Sequence, residues 1–335
     1  MSISAWAASK ARSPLTAFRY EPAPLGPRDV EIRISHCGIC HSDLHLINDD
    51  WGVSRYPLVP GHEIVGTVTG LGSGVSHLKV GQRVGVGWQR SACGECEYCR
   101  RGDDNLCAKT EATCVGHHGG FAAAIVTDGR FAFPIPDALE SALAAPLLCA
   151  GVTVFSPLAR HGVGPGMRVG IVGIGGLGHI AVQFAAKLGA AVMALSSTAA
   201  KAEDAHRLGA AEFLDTSDSG ALQKARRSLD YILSTVNVDL PWGEYLKLLR
   251  PNGTLCFVGA TPGNLGIRPG ELLSGQRTLT GSTIGGRRSM TEMLSFAAEH
   301  QVRPRIEAMP MGEVNTALQR VAANQARFRM VLENP

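Results

Sequence analysis

Val30-Glu31-Ile32-Arg33-Ile34 alternates apolar and charged residues, the two-residue period of a strand with one face buried. Ile64-Val65-Gly66-Thr67-Val68 and Arg83-Val84-Gly85-Val86 repeat the pattern between glycine-rich turns. The first part of the chain therefore predicts an antiparallel, largely β domain with functional loops. From about Cys149 the texture changes. Arg168-Val169-Gly170-Ile171-Val172 is an unbroken apolar strand, followed by a glycine turn and a helical run over 179–188. A second strand over 191–195, a helix over 199–208, and strands at 230–233 and 254–258 continue the alternation. Strand and helix in turn predict a doubly wound parallel sheet, an α/β arrangement. The tail from Ser289 reads as helical over 290–300 and 311–324 and closes in a strand over 329–332. The expected division is 1–148, 149–286, and a return to the first domain over 287–335.

Composition supports two folded cores: the chain has 335 residues, 45% of them hydrophobic and only 18% charged. The net charge is +3, and no block of Lys or Arg marks a nucleic-acid or membrane surface, which leaves a small molecule as the expected partner. Residues 2–18 carry Ser, Lys and Arg but no acid. They lead into Tyr20-Glu21-Pro22 and a strand, and read as part of the fold rather than as a leader. No uninterrupted apolar run of membrane-spanning length is apparent, so a cytosolic chain is expected.

Nine cysteines in such a chain point to metal rather than to disulfides. Cys93, Cys96, Cys99 and Cys107 form C-x2-C-x2-C-x7-C, with Gly94 and Gly102 supplying bends. Four thiolates at this spacing predict a closed tetrahedral zinc site in a lobe near 90–110. The spacing differs from common iron–sulfur runs, and the mixed local charge (Glu95, Glu97, Asp103 and Asp104 against Arg100 and Arg101) disfavours a nucleic-acid ribbon.

Gly173-Ile174-Gly175-Gly176-Leu177-Gly178 is G-x-G-x-x-G between a strand and a helix, the arrangement that seats a dinucleotide pyrophosphate on a helix N-terminus. The acid that binds the ribose hydroxyls of NAD is absent from the end of the second strand. Ser196, Ser197, Thr198 and Lys201 stand there instead and can bind the extra phosphate of NADP. The hydroxyls can also cap the following helix, and the two roles are compatible.

Gly38-Ile39-Cys40-His41-Ser42-Asp43-Leu44-His45 places many reactive groups on what reads as one short loop. Pro60-Gly61-His62-Glu63 and Leu148-Cys149-Ala150-Gly151 each have a bland reading alone, a turn histidine and a core cysteine. As an ordered set with the four-cysteine lobe, these segments resemble the zinc-containing medium-chain dehydrogenases and, within them, the cinnamyl alcohol dehydrogenase-like aldehyde reductases. The resemblance runs from Asp29-Val30 through Tyr56-Pro57 to Arg327-Phe328-Arg329.

It implies a mainly β, GroES-like catalytic domain with a structural zinc lobe beside a Rossmann domain. It further implies two zinc ions per chain and a homodimer joined through the cofactor domains. Cys40, His62 and Cys149 would be catalytic zinc ligands, with Glu63 able to approach the metal and Asp43 orienting an imidazole. Ser42 and His45 would relay the proton. His41 and Arg329 would lie on the cofactor side. Thr235, Val236, Asn237, Val258 and Gly259, with Ser282, Thr283 and Ile284, would line the nicotinamide. Trp51, Leu58, Trp88 and Ile284 are candidate apolar lining, although related chains often carry an aromatic residue where Thr283 stands. His117-His118 reads as a polar loop.

The expected activity is reversible hydride transfer between NADP(H) and a primary alcohol or aldehyde, favouring aldehyde reduction. The runner-up is an NAD-dependent polyol or formaldehyde dehydrogenase, or a non-enzymatic zinc-binding protein. A zinc-free quinone reductase would lack Cys40, Cys149 and the cysteine lobe.

Overall fold

The computed structural model describes residues 2–335 and divides them into two compact units, 2–152 with Gly285–Pro335, and Thr153–Ile284.

In the first unit a seven-stranded sheet runs in the order Ile306–Pro310, Arg329–Glu333, Asp29–Ile39, Glu63–Leu71, Arg83–Val86 and Phe133–Pro134, with Ala124–Asp128 also paired to Asp29–Ile39. Every pairing is antiparallel except that of Ile306–Pro310 with Arg329–Glu333. Val30, Ile32 and Ile34 are buried, so the alternation read in the sequence marks the core face of the central strand. That strand continues to Ile39, with register shifts at Glu31/Ile32 and Ile34/His36. Its extension carries the chain to Cys40.

Several local expectations need correction. The reactive segment after Gly38 is not a loop: His41–Asn48 is a helix with Cys40 at its N-cap. The side chain of Asp43 accepts the Cys40 backbone N–H at 2.9 Å, satisfying a donor that the helix start leaves open. The N-terminal residues form a hairpin of Ile3–Ala8 with Leu15–Tyr20, so a strand precedes Glu21 as well as the strand Asp29–Ile39 that follows it. The tail contains a strand, Ile306–Pro310, between the helices Arg287–Glu299 and Val314–Ala322. Residues Ser141–Arg160 form a helical run long and apolar enough by composition to cross a membrane, and 83% of its most apolar window is buried. Its apolarity belongs to core packing. A π-helical turn, Leu147–Gly151, interrupts the run and holds Cys149.

The second unit is a six-stranded, all-parallel sheet in the order Glu212–Asp215, Ala191–Ser196, Arg168–Val172, Leu229–Ser234, Leu249–Phe257, Thr278–Gly281. The strand order reverses beside Arg168–Val172, the topological switch of a doubly wound sheet. Gly173 has φ +87°, and a side chain there would strike Val236. A side chain at Gly178 would overlap the carbonyl oxygen of Gly173, so strand and helix pack as closely as only glycine allows. Nothing lies within 4 Å of where a Cβ of Gly175 would sit, so that glycine leaves open space rather than relieving a contact inside the chain.

Candidate active site

Three separate elements deliver Cys40, His62 and Cys149 to one point: a helix N-cap, the residue before the strand Glu63–Leu71, and the π turn. Their ligand atoms, with one carboxylate oxygen of Glu63, all lie within 4.8 Å of one another, and all four residues are buried. Asp43, fully buried, orders the group. Its Oδ1 accepts Gly61 N–H at 2.9 Å and lies 3.0 Å from His62 Nδ1. With Nδ1 engaged, His62 Nε2 is buried and has no partner among the described residues. An imidazole so oriented, beside two thiols and with a bare nitrogen, has the donor set and second-sphere contact of a zinc ligand.

The charges agree. A hydrogen bond with Cys149 holds Cys40 well below the usual thiol range, outweighing its burial. The same contact, with burial, pushes Cys149 well above it. The opposed shifts arise from one hydrogen bond between the two sulfurs, a contact that a divalent ion bound to both would replace. Burial alone would lower His62, but the charges of Asp43 and Cys149 raise it well above the usual range.

Glu63 is raised to about 7, first by burial, against the opposing charge of Arg329. Its Oε1 accepts from Arg329 Nη2, while Oε2 has no partner among the described residues. Oε2 occupies the space that a side chain at Gly38 would fill. Arg329, expected on the cofactor side, is thus only 4% exposed and commits its guanidinium to Glu63.

Ser42 Oγ lies 3.6 Å from Cys40 Sγ, and His45 Nδ1 lies 2.8 Å from Asp50 Oδ2 nearer the surface. His41 opens the helix and is exposed. Trp88 stands edge-on to His62 with ring centroids 4.9 Å apart, and Trp51 meets both Trp88 and His45. Leu58 does not line this space; at 1% exposure it belongs to the core of the unit. His117 and His118 lie outside any helix or strand, and His118 packs against Phe18 and Tyr20.

The sequence reading missed Asp50, the Glu63–Arg329 pair and Cys114. Cys114 Sγ donates to Gly61 O at 3.1 Å and lies near Asp43 and His62. Asp50 had a signal in its i+5 position after His45. Neither Cys114 nor the pairing of Arg329 with Glu63 had any local signal, since the partners are distant in the chain.

The four-cysteine cluster closes around a short helix, Glu97–Arg101, ended by Gly102 in the left-handed region. Cys93 Sγ lies 3.8 Å from Cys99 Sγ and 3.6 Å from Cys107 Sγ, and accepts the N–H groups of Glu95 and Cys96. Those backbone donors bring Cys93 down to about 6, while burial pushes Cys99 up to about 12. Backbone N–H groups turned toward sulfur are what a thiolate zinc site needs.

In the second unit the expected cofactor residues gather at the C-terminal ends of neighbouring parallel strands. Leu177 caps the helix Gly178–Lys187, and Thr235 Oγ1 donates to Val172 O at 2.9 Å, bracing the glycine turn. Ser196 accepts Thr198 N–H at 3.2 Å, Ser197 and Thr198 are exposed, and Lys201 follows in a single 3-10 turn. Asp215, paired in register with Ser196, engages Ser217 through its Oδ1. Asn237 and Thr283 are exposed, while Val236, Val258, Gly259, Ser282 and Ile284 are half-buried after their strands.

Comparison with known proteins gives the family of the chain. A family model described as the alcohol dehydrogenase GroES-like domain matches residues 26–137, and one described as zinc-binding dehydrogenase matches 176–299. The aldehyde reductase AdhA of Synechocystis is 42% identical, covering 99% of both chains. An NADP-dependent alcohol dehydrogenase C of Mycolicibacterium smegmatis is 44% identical, covering 99% of this chain and 97% of its own. Among solved structures, a cinnamyl alcohol dehydrogenase of Sorghum bicolor superposes with a TM-score of 0.95 at 38% identity, covering 99% of this chain and 98% of the other. The Helicobacter pylori cinnamyl alcohol dehydrogenase, solved with NADP(H), gives 0.92 at 32% identity with the same coverage. The chain belongs to the zinc-binding alcohol dehydrogenase family, and it is an oxidoreductase of that class, built from a GroES-like unit and a Rossmann unit.

Proposed function

We propose that this enzyme reversibly transfers a hydride between NADP(H) and a primary alcohol or aldehyde, working toward aldehyde reduction, with two zinc ions per chain. The observation that carries the reading is the buried set Cys40, His62 and Cys149, with His62 Nε2 left bare. Two sulfurs and one imidazole leave a fourth position open, as catalytic zinc requires. A zinc held there supplies a Lewis acid that polarises a carbonyl oxygen.

The remaining work falls to the chain. Asp43 fixes the tautomer of His62, and Arg329 holds the charge of Glu63 beside the sulfurs. Ser42 exchanges the proton of the substrate oxygen, and His45, with Asp50 on its Nδ1, passes it outward. Trp51 and Trp88 supply apolar wall. The four cysteines at 93, 96, 99 and 107 hold the second, structural zinc.

In the Rossmann unit the turn at Gly173, Gly175, Gly176, Leu177 and Gly178 takes the pyrophosphate, with His41 as a further contact. Ser196, Ser197, Thr198 and Lys201 take the extra phosphate of NADP. Thr235, Val236, Asn237, Val258, Gly259, Ser282, Thr283 and Ile284 face the nicotinamide. A homodimer through this unit is supported by the sheet-edge strand Thr278–Gly281 and by Leu273, which is 78% exposed. Sedimentation at a monomer's mass would refute it.

A relative from Bacillus subtilis, 42% identical, is named a probable formaldehyde dehydrogenase, which favours a small-aldehyde variant as the second reading. One experiment separates these readings: turnover of aliphatic and aromatic aldehydes with NADPH and with NADH, alongside zinc content. The proposal expects NADPH preference, lost in Lys201→Ala, and two zinc per chain. Higher catalytic efficiency with NADH overturns the cofactor assignment, and one zinc or none overturns the metal assignment.

A further inference from the structure

A pocket of about 400 Å³ opens in the catalytic unit, and none of the proposed metal, relay or cofactor residues lines it. Its polar wall includes Tyr20, Glu21, Asp29, Arg55, Arg90, His117 and His118. Arg90 lies in the middle of the short strand Gln89–Ser91 and is half-buried. Its guanidinium makes one long hydrogen bond, Nη2 to Val126 O at 3.4 Å, and its Nε is buried with no partner among the described residues. Burial pulls this guanidinium below its usual range despite the attraction of Glu111, Asp29 and Asp128.

Those three acids are near enough to be felt, yet each is committed elsewhere. Glu111 Oε2 accepts the Ser91 hydroxyl at 2.7 Å and lies 3.6 Å from His117 Nε2. Asp29 Oδ2 accepts Gly26 N–H at 2.8 Å. Asp128 takes Arg130 Nη2 at 2.6 Å and Nε at 3.0 Å. Among the described residues no carboxylate forms an ion pair with Arg90. A guanidinium withdrawn from water without a counter-ion is costly, and its planar fork matches a carboxylate or phosphate.

Glu21 and Asp29 give the wall an acidic side, while its neutral donors and Arg55 suit the same guest. Burial, the leading cause for each, lowers His117 and His118, so both imidazoles are neutral near pH 7. Each then offers one N–H without adding charge. Burial pushes the Tyr20 phenol up to about 12, so it stays a donor, and its acceptor, Ala124 O, is a long 3.4 Å away. The Tyr20 and His118 rings, with centroids 4.2 Å apart, make an apolar side for a small guest. Arg55 is exposed at the pocket and adds positive charge.

We propose that this pocket is a second ligand site, binding a small oxyanion of the carboxylate or phosphate class on the Arg90 guanidinium. The site is separate from the reaction, so its occupant does not compete with alcohol or aldehyde.

The test is isothermal titration calorimetry of the zinc-loaded enzyme saturated with NADP, which fills the cofactor's own phosphate pocket. Benzoate and inorganic phosphate are titrated separately. The expected result is saturable binding of at least one of them, weakened by roughly tenfold or more in Arg90→Met and less in Arg90→Lys, because lysine keeps charge but loses the fork. Zinc content and aldehyde turnover remain at the native level in both variants. Binding of benzoate alone identifies a carboxylate site, and binding of phosphate alone a phosphate site. Three outcomes overturn the proposal: no binding of either anion, affinity unchanged in Arg90→Met, or displacement of the anion by saturating alcohol. Should Arg90→Met fail to fold, Arg55→Met combined with Tyr20→Phe takes its place, with unchanged affinity again decisive against the site.

Discussion

The two candidate metal clusters of the catalytic unit reach similar donor geometry by opposite routes. The lobe draws four cysteines from fifteen consecutive residues, 93–107, and two of them, Cys93 and Cys96, remain partly exposed. Its thiolates are stabilised by their own neighbours' N–H groups. The other cluster takes Cys40, His62 and Cys149 from a strand–helix junction, a strand start and a π turn, and buries all of them. Its electrostatics come from Asp43 and the distant Arg329. A closed set of four sulfurs leaves nothing for a substrate. A three-donor set with a carboxylate in reserve leaves a position for chemistry. Local geometry thus suffices to bind a structural ion, whereas an open site must be held by the whole fold.

Substitutions can break or sharpen this contrast. The largest effect is expected for Cys149→Ala: zinc falls from two to one per chain and aldehyde turnover drops by on the order of 1000-fold, the scale of losing a Lewis acid. Metal analysis with steady-state kinetics checks this, and a variant keeping both ions would separate Cys149 from metal binding. Cys96→Ser should also remove one zinc, but the loss appears as stability, on the order of 3–5 kcal/mol in denaturant unfolding. Turnover per folded molecule stays in the native range, and a collapse of turnover at full folding would contradict a purely structural role.

Gly38→Ala crowds Glu63 Oε2 and should cost about 1–3 kcal/mol, the range for overpacking a filled site. It should also lower zinc affinity at the catalytic cluster while leaving the lobe loaded, as a chelator titration can resolve. The smallest effect is expected for Asp128→Asn, next to the lobe. Burial would raise the Asp128 carboxyl, but hydrogen bonds from Arg130 outweigh it and hold it below the usual range. Arg130 in turn donates to Ala92 O at 2.9 Å, just before Cys93. A depressed carboxyl contributes stability above its unfolded value of about 3.9, and that stability is lost as pH falls through the folded value. The variant should therefore lose about 1 kcal/mol at pH 7 and converge with the native protein in acid. A constant difference at all pH values would rule out the ion pair as its source.

Much of the fold was legible because its signals are short-range. The alternation at residues 30–34 and the apolar run Arg168–Val172 each report burial through a pattern only a few residues long. The reactive segment after Gly38 was misread as a loop because its cap is a cysteine, a poor N-cap by type, and the cap is completed by Asp43 reaching back. The π turn at Leu147–Gly151 had no sequence signal, since one extra residue in a buried helix leaves the apolar composition unchanged.

For this protein the sequence alone determined the lobe's four-cysteine spacing, the glycine turn and the missing acid after the second strand, because each depends on neighbours along the chain. The convergence of Cys40, His62 and Cys149, the burial of Glu63 against Arg329 and the bare nitrogen of His62 were decided by tertiary structure. These features join residues up to 266 positions apart, and only packing into one core brings such groups within reach and removes the water that would otherwise screen them.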